Sequence, residues 1–378
     1  MKTKVLALYL PQFYETDYNN EWWGKGYTEW VATKQAKPLF KNHEQPKIPL
    51  NNNFYDLSIE ENIIFQSKLA KRYSIDGFVI YQYYSCNESK YGKKVGERGR
   101  LLLEKPTELY LKSQKIEEPF CLYWANHDWR KTWFGQDKQI VWPQEYGDEK
   151  DWKDFFNYNL QYFKDERYIK IDNKPVFFVF ASWHFKSIEL FINLWNQLAK
   201  GNGFNGIYFV KTVDARTNES LSLFNAVYRR EPFYTFSKGN SFFKLGIRFL
   251  KIRLSRIVNN LLLAKSKKKL FAYKMDYKTY WKKLNDKEID SRTIPGAVFE
   301  WDNTPRKGYN GQMLSDFSVV DFEDGYSKLY RRACENNAPF IVFNAWNEWA
   351  EGAFMEPSEK YKYSCLEIIR KIKEGYKE

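Results

Sequence analysis

Short, uninterrupted apolar runs recur along the chain, and stretches with helical spacing separate most of them. Eight runs of this kind lie at residues 5–10, 77–84, 120–125, 175–181, 206–212, 226–232, 296–301 and 339–346. Continuous rather than alternating hydrophobicity is typical of parallel strands that are buried on both faces beneath helices. Apolar residues recur at helical spacing over residues 59–73, 151–163, 188–200 and 326–336, which predicts helices there.

Eight alternations of strand and helix predict the α/β class and a (β/α)8 TIM-like barrel as a single domain over residues 1–378. A doubly wound open sheet is the alternative architecture. Two segments fall outside the repeat: a long first βα loop at residues 13–56, and a basic helical insertion between strands 6 and 7 at residues 234–290. No G-x-G-x-x-G follows the first strand and no G-x-x-x-x-G-K-[S/T] occurs, so the sequence gives no support for nucleotide binding through these motifs.

The aromatic content is high, with 14 Trp, 28 Tyr and 30 Phe in the chain. Large rings fill a large core, but flat aromatic faces also stack on sugar rings, so both interpretations stay open. The net charge is +13, yet residues 232–275 carry eleven Lys or Arg and no Asp or Glu, which leaves the rest of the chain nearly neutral. A basic field confined to one segment argues against nucleic acid as a partner.

The basic insertion has an amphipathic pattern. Drawn as a helix, residues 242–269 present a cationic and polar stripe, with Phe, Leu and Ile over most of the remaining surface. This pattern predicts peripheral contact with an anionic membrane surface. A helical subdomain that packs on the barrel with its Lys and Arg in water is the alternative.

The first apolar run ends at Pro11 and is too short for a signal peptide. No run of 18 apolar residues is present either, so no membrane span is predicted. We therefore expect a cytoplasmic protein at the inner face of the cell membrane. The spacing of the four cysteines predicts neither a zinc site nor a disulfide framework, and no carboxylate cluster has a metal-binding spacing. We expect no metal and no cofactor.

Polar and aromatic residues gather where the predicted strands end, which is the end of a barrel at which active sites form. Sugars present many hydroxyl groups, so side chains that donate and accept hydrogen bonds are candidates for binding them. The candidate hydroxyl binders are Gln12, Glu29, Tyr81, Asn126, Asp128, Asp302, Asn347 and Glu356. The candidate stacking surfaces, each of which could equally belong to the core, are Trp22, Trp30, Trp129, Trp301 and Trp346.

Two acids follow the last predicted strand in the segment NAWNEWAEG at residues 344–352. Cleavage of a glycosidic bond usually needs two carboxyl groups, one as proton donor and one as nucleophile or base. The i, i+3 spacing of Glu348 and Glu351 projects both side chains to one side of a turn, and Trp346 and Trp349 can raise a carboxyl pKa by desolvation. Solvated acids at a helix N-terminus are the alternative. We predict Glu348 and Glu351 as catalytic residues.

Longer motifs occur along nearly the whole chain, from residue 9 to residue 357. They are YLPQF at 9–13, WWGKGYTEW at 22–30, KPLF at 37–40, DGF at 76–78, LLEKP at 102–106, WAN at 124–126, WDNTPR at 301–306, NAWNEWAEG at 344–352 and EP at 356–357. In these motifs the chain resembles the glycoside hydrolase family 99-like proteins of the WbsX type, which occur with bacterial cell-surface polysaccharide genes.

The resemblance implies a retaining, endo-acting enzyme for α-mannose-type linkages in an oligo- or polysaccharide. In the related family 99 enzymes the first Glu of the W-N-E-W-x-E segment is thought to deprotonate the sugar 2-hydroxyl, which gives a 1,2-anhydro intermediate. The second Glu acts as acid and then as base. By this resemblance, Glu348 takes the first role and Glu351 the second.

The chain departs from the family pattern after the third strand. WbsX-type proteins usually have W-A-N-E-N-W there, whereas residues 124–129 are WANHDW, with His127 in place of an acid and Asp128 in place of an amide. This difference shifts the negative charge by one residue or adapts the neighbouring subsite to another sugar. His127 as a general base is a further possibility.

Two other functions compete with glycoside hydrolysis or transglycosylation. One is glycosyl transfer in the biosynthesis of O-antigen or capsule polysaccharide, as WbsX-type proteins are often labelled. The other is glycan binding without catalysis. A sugar-nucleotide-dependent transferase commonly shows an acidic metal-binding motif or a doubly wound domain, and the sequence shows neither. The presence of both Glu348 and Glu351 argues against a non-catalytic role.

Overall fold

The computed structural model describes residues 3–131, 139–214, 217, 219–237, 250, 253, 254, 257, 273–308 and 311–376. Its centre is a closed barrel of eight parallel strands, in which each strand pairs with its neighbours in the chain and the last pairs with the first. The barrel strands are β1 (Lys4–Tyr9), β2 (Phe78–Ser85), β3 (Phe120–Trp124), β4 (Lys174–Val179), β5 (Tyr208–Val213), β6 (Ala226–Arg229), β7 (Thr293–Ala297) and β8 (Phe340–Phe343).

Closure of the barrel is visible at one residue of β1. Ala7 pairs with Phe343 of β8 on one side and with Phe78 of β2 on the other, both in parallel register. Strand β1 therefore has no free edge, and the predicted (β/α)8 barrel is confirmed over the doubly wound sheet. The strands are almost entirely buried, as their continuous hydrophobicity predicts.

Helices surround the barrel. They are α1 (Asp17–Trp23), α2 (Glu29–Gln35), α3 (Glu60–Arg72), α4 (Lys105–Lys112), α5 (Glu149–Lys164), α6 (Ile188–Gly201), α7 (Phe233–Ser237), α8 (Tyr277–Asn285), α9 (Thr304–Lys307), α10 (Val319–Glu335) and α11 (Ser364–Gly375). Helix α5 begins with a capping box, since Asp148 accepts from the backbone of Lys150 and Asp151 accepts from the backbone of Asp148. Its apolar face, which includes Phe155, is buried in the core.

Short strands and 3-10 turns lie outside the barrel strands and the helices. The strands are Lys93–Val95, Gly99–Leu102, Trp129–Arg130, Ile140–Trp142, Lys170–Ile171, Tyr273–Asp276, Gln312–Ser315, Asn347–Glu348 and Ala353–Phe354. The 3-10 turns are Leu50–Asn52, Ser182–His184 and Trp349–Glu351. Several of them lie at the carboxyl ends of the barrel strands and shape the mouth of the barrel.

Strand β7 begins and ends earlier than the sequence predicts. The apolar run covers residues 296–301, whereas the strand is Thr293–Ala297. Val298, Phe299 and Trp301 are buried but lie beyond the strand. The apolar run therefore indicates which residues are buried, and burial continues past the end of the strand toward the mouth of the barrel. It does not indicate where the backbone hydrogen bonds of the strand begin and end.

The basic insertion predicted at 234–290 lies largely outside the described residues, and so does the predicted membrane-contacting segment 242–269. At the end of the insertion, α8 packs on α10, and Gly325 permits this contact because a side chain there would meet the ring of Trp281 at 2.3 Å. Within the described ranges, no helix has the length and apolar character to cross a membrane.

Candidate active site

The segment after β8 folds back as a tight hairpin that carries both candidate acids. Glu348 ends the strand Asn347–Glu348, which pairs antiparallel with Ala353–Phe354, and Glu351 ends the 3-10 turn between these two strands. Gly352 closes the turn with φ of 57°, and a side chain there would meet the backbone of Asp302 at 2.9 Å. The hairpin therefore depends on this glycine for its close contact with the loop after β7.

One guanidinium group joins three carboxylates at the mouth of the barrel. Arg306 in α9 donates from Nη1 to Glu351 Oε1 at 2.5 Å, and from Nη2 to Glu348 Oε2 at 2.9 Å and to Glu29 Oε1 at 2.5 Å. The side chains of Glu29, Glu348 and Glu351 are 0%, 6% and 14% exposed, and that of Arg306 is 19% exposed. Residues from the first βα loop, the loop after β7 and the loop after β8 thus meet at one point.

The two candidate acids have opposite pKa shifts. Burial raises the pKa of Glu348 to about 8, with Arg306 opposing this shift and the carboxylates of Glu351 and Glu29 reinforcing it. Burial also acts on Glu351, but the positive charges of Arg306 and Arg230 outweigh it and hold the pKa of Glu351 below its usual value. These opposite shifts favour the protonated form of Glu348 and the ionised form of Glu351.

The third carboxylate, Glu29, is the first residue of α2 and is fully buried. Burial raises its pKa, and the adjacent Arg306 opposes that shift. Its backbone N–H donates to the carbonyl of Gln12 at 3.0 Å, which fixes the start of α2 against the end of β1. Gln12 itself is buried, so among the predicted hydroxyl binders these two shape the site from the side of the first loop.

Asp302 holds the loop after β7 to the long first loop. Its Oδ2 accepts from His43 Nε2 and from Gln45 Nε2, each at 2.7 Å, and its Oδ1 accepts from the backbone of Thr304 at 3.0 Å. Because Leu39 N donates to His43 Nδ1, the proton of the ring lies on Nε2. Burial would raise the pKa of Asp302, but these hydrogen bonds hold it below its usual value. Asp302 thus positions α9, which carries Arg306.

Three further predicted hydroxyl binders are engaged by the protein itself. Asn347 accepts from Leu10 N at 2.7 Å and donates to Leu10 O at 3.0 Å, which fastens the segment after β8 to the end of β1. Asn126 makes the same pair of contacts with the backbone of Ala181. Glu356 accepts from three groups, the hydroxyl of Tyr55, the amide of Gln66 and the indole of Trp349.

Three of the predicted stacking rings have no free face in the structure. Trp301 and Trp346 are 0% exposed, and Trp30 is 5% exposed. Trp301 packs against Phe233 and Phe236, and Trp346 packs against Phe78. Their placement differs from the predicted stacking role because the apolar segments around them continue the core past the strand ends.

The remaining predicted residues lie nearer the surface or line the mouth of the barrel. Trp22 and Trp129 are half-buried, and Trp129 meets the ring of Tyr83 edge-on with centroids 4.8 Å apart. Asp128 accepts from Gln144 N at 2.9 Å and pairs with Arg130 at 3.2 Å. Tyr81 is buried, and the charges of Arg230 and Glu348 both act on its pKa, which places it close to the acids.

The sequence-based site did not include Arg306, Arg230 or His43. Arg306 stood in the quoted motif WDNTPR, and its place in that motif was the only available signal. In the described part of the chain, no group of three or more His, Cys, Asp or Glu side chains has the arrangement of a metal site.

Comparisons with solved structures show the same fold. A glycoside hydrolase-like protein has a TM-score of 0.56 and 13% identity, covering 98% of this chain and 94% of its own. The family 99 endo-α-mannosidase from Bacteroides thetaiotaomicron has a TM-score of 0.52 and 13% identity, covering 97% of this chain and 95% of its own. At this identity the likeness concerns the fold.

Sequence comparison gives the family. WxcX proteins from two strains of Xanthomonas campestris pv. campestris are each 26% identical over 371 residues, which cover 97% of this chain. This chain spans about half the length of these relatives, 49% in each case. The family model described as glycosyltransferase WbsX matches residues 5–369, so the chain belongs to the WbsX family.

Proposed function

We propose that this protein is a carbohydrate-active enzyme that cleaves or transfers glycosidic bonds in a bacterial surface polysaccharide, with Glu348 and Glu351 as its reacting acids. The substrate linkage is α-mannose-like, and the reaction proceeds with retention at the anomeric carbon. The family membership and the shared fold of an endo-α-mannosidase support a glycan as substrate.

The observation that carries the proposal is the contact of both acids with one guanidinium group. Because Glu348 and Glu351 each bind Arg306, their carboxyl groups face the same small volume at the mouth of the barrel. A pair of carboxyl groups of which one is protonated and one ionised is what acid-base chemistry at a glycosidic bond requires. The pKa of about 8 for Glu348 and the lowered pKa of Glu351 supply such a pair.

The order of these pKa values has a mechanistic consequence. The resemblance to family 99 implies that Glu348 removes a proton and Glu351 donates one, whereas the free protein keeps the proton on Glu348. Arg306 binds Glu351 at 2.5 Å and its charge opposes protonation of that acid. We therefore propose that substrate draws Arg306 away from Glu351, so that the proton moves from Glu348 to Glu351 before the bond breaks.

Single amide substitutions test the proposal. Glu348→Gln and Glu351→Gln should each abolish turnover of α-linked manno-oligosaccharides and bacterial surface polysaccharides, with chain length of the products as the measurement. Glu335→Gln is the matched control, since Glu335 is exposed at the end of α10 and away from Arg306. Unchanged turnover in either of the first two variants would exclude that acid from the reaction.

Glycosyl transfer is the second candidate, because the family description names a glycosyltransferase. The two activities differ in the donor that they need. Incubation of the protein with surface polysaccharide should give shorter products without any sugar nucleotide if the protein cleaves the chain. Growth of the chain that occurs only when a sugar nucleotide is supplied would favour the transferase.

A further inference from the structure

Arg230 lies at the same end of the barrel as the candidate acids, where its charge acts on Glu351. It directly follows β6, and its backbone N–H donates to Val213 O at the end of β5. Its positive charge lowers the pKa of Glu351 and acts in the same direction on Tyr81 of β2. Arg230 therefore lies at the carboxyl end of the barrel strands, as Glu348 and Glu351 do, and near enough to Glu351 for its charge to act on that acid.

The guanidinium group of Arg230 makes no hydrogen bond or ion pair with any other described residue. Its Nε is buried without a hydrogen-bond partner. Its Cζ lies 4.5 Å from the ring centroid of Phe233 and 5.2 Å from that of Phe180. Aromatic faces stabilise a cation through their quadrupole but accept none of its five N–H donors in the way an oxyanion does.

Two other half-buried arginines in the described part of the chain donate hydrogen bonds through their guanidinium groups. Arg167 donates to the carbonyls of Tyr110, Ser113, Ile116 and Leu111 and pairs with Asp165. Arg306 binds three carboxylates. A half-buried guanidinium without such partners is costly, because its desolvation is not offset by hydrogen bonds. Arg230 thus differs from Arg167 and Arg306, because its guanidinium group donates no hydrogen bond to a described residue.

We propose that Arg230 binds an anionic substituent, a carboxylate or a phosphate group, on a sugar of the glycan substrate. This inference rests on the proposed function, since it assigns the substrate of that same site. A planar guanidinium presents paired N–H donors that match the two oxygens of a carboxylate or phosphate. Because both terminal nitrogens of Arg306 already donate to Glu29, Glu348 and Glu351, we assign the anionic group to Arg230 rather than to Arg306.

Matched neutral and acidic sugars test the inference without any need for turnover. The probes are three sugar and uronic acid pairs: mannose with mannuronate, glucose with glucuronate and galactose with galacturonate. A fourth probe, mannose 6-phosphate, is compared with mannose. Their dissociation constants are measured by ligand-observed NMR or calorimetry. We expect roughly tenfold or greater preference for the acidic member in at least one pair. A preference for the uronate or for the phosphate decides which anion the site takes.

Substitutions of Arg230 test whether this residue causes the preference for acidic sugars. Arg230→Gln should remove the preference for the acidic sugar while the neutral sugar binds as before, and Arg230→Lys should retain part of it. Arg72→Gln is the control, since Arg72 is an exposed arginine over the ring of Tyr73 at the end of α3. Thermal unfolding of each variant establishes that it is folded.

Two outcomes would overturn the inference. One is equal affinity of the natural protein for the neutral and acidic member of every pair. The other is a loss of affinity in Arg230→Gln that is the same for both members, which would mean that Arg230 acts only through the charge of Glu351. Failure of the proposed function gives a different result, namely selective binding of acidic sugars without turnover of any glycan.

Discussion

Asp302 and His43 face each other across a hydrogen bond of 2.7 Å between Oδ2 and Nε2, and both side chains are buried. This bond connects the long first loop to the loop after β7, two segments separated by more than 250 residues in the chain. The second bond of the same oxygen, to Gln45, and the neighbouring ion pair of Lys47 with Glu300 at 2.6 Å repeat the connection. The loops of the site are thus held together by buried polar contacts.

Asp302→Ala should destabilise the protein by several kcal/mol, about 1–3 for each buried donor that it leaves unpaired, namely His43 Nε2, Gln45 Nε2 and Thr304 N. Urea unfolding measures this change. Activity should fall as well, since Asp302 accepts from the first turn of the helix that carries Arg306. Gln45→Ala, which removes one donor and keeps the other two bonds, should cost about a third as much. An Asp302→Ala protein as stable as the natural one would contradict the interpretation.

Arg306→Gln should lower kcat/KM on a glycan substrate by about 10²-fold or more, because Glu29, Glu348 and Glu351 lose the group that holds them at one point. It should also move the acidic limb of the pH profile upward, because Arg306 has the larger of the two arginine charges' effects that hold the pKa of Glu351 below its usual value against burial. Arg306→Lys, which keeps the charge, should leave that limb closer to its original place. An unshifted acidic limb in Arg306→Gln would argue against this electrostatic role.

The pH profile of kcat/KM should be bell-shaped. Activity should fall at acidic pH as Glu351 takes up a proton, and at alkaline pH as Glu348 loses its proton with a pKa of about 8. Because the two groups interact, the measured limbs describe the pair. Rates measured between pH 4 and pH 10 in buffers of constant ionic strength check this prediction, and a rate that is flat up to pH 10 would contradict it.

Stability should decrease as the pH rises from about 4.5 to 8, in part because of Glu231. This carboxyl group is 2% exposed and accepts from Thr235 Oγ1 at 2.7 Å, and burial raises its pKa to about 8. A raised folded-state pKa contributes stability that is present below the unfolded pKa and is lost as the pH rises through the folded value. Glu231→Gln should therefore flatten the pH dependence of the unfolding free energy by a few kcal/mol, on the order of 1.4 per pKa unit. Thermal melts at pH 5, 7 and 9 provide the measurement.

Trp346→Ala and Trp129→Ala should have different effects. Trp346 is 0% exposed, so its removal should cost about 3–5 kcal/mol of unfolding free energy by leaving a cavity. Trp129 is half-buried at the mouth of the barrel, so its removal should cost less stability and should mainly weaken glycan binding. Urea unfolding and glycan affinity, measured on both variants, separate the two roles. Equal loss of stability in the two would contradict this distinction.

The barrel could be predicted from the sequence because each of its strands is a short apolar run, and such a run is buried on both faces whichever strand pairs with it. Glu348 and Glu351 could be located for a similar reason. They lie within four residues of each other, and they directly follow the last predicted strand. The contacts of Arg306 could not be predicted in this way. They join Glu29 to Arg306, which lies 277 positions later in the chain, and only the closed barrel brings these two segments together.

The burial of the individual tryptophans could not be predicted from the sequence either. Trp129 and Trp346 both follow a barrel strand and both stand beside polar residues, yet Trp129 is half-buried and Trp346 is fully buried. The difference depends on what packs over each ring. Trp346 lies against Phe78 of β2, a strand that is distant in sequence but is separated from β8 only by β1 in the closed barrel.

The pairing of β1 with β8 has a consequence for synthesis. As the polypeptide leaves the ribosome, β1 can pair with β2 early. Its other edge stays unpaired until residues 340–343 of β8 have been synthesised. For most of translation the nascent chain therefore carries an unpaired apolar strand, the kind of surface that chaperones recognise and that otherwise aggregates. Expression of truncated forms that end before β8 should accordingly give insoluble protein.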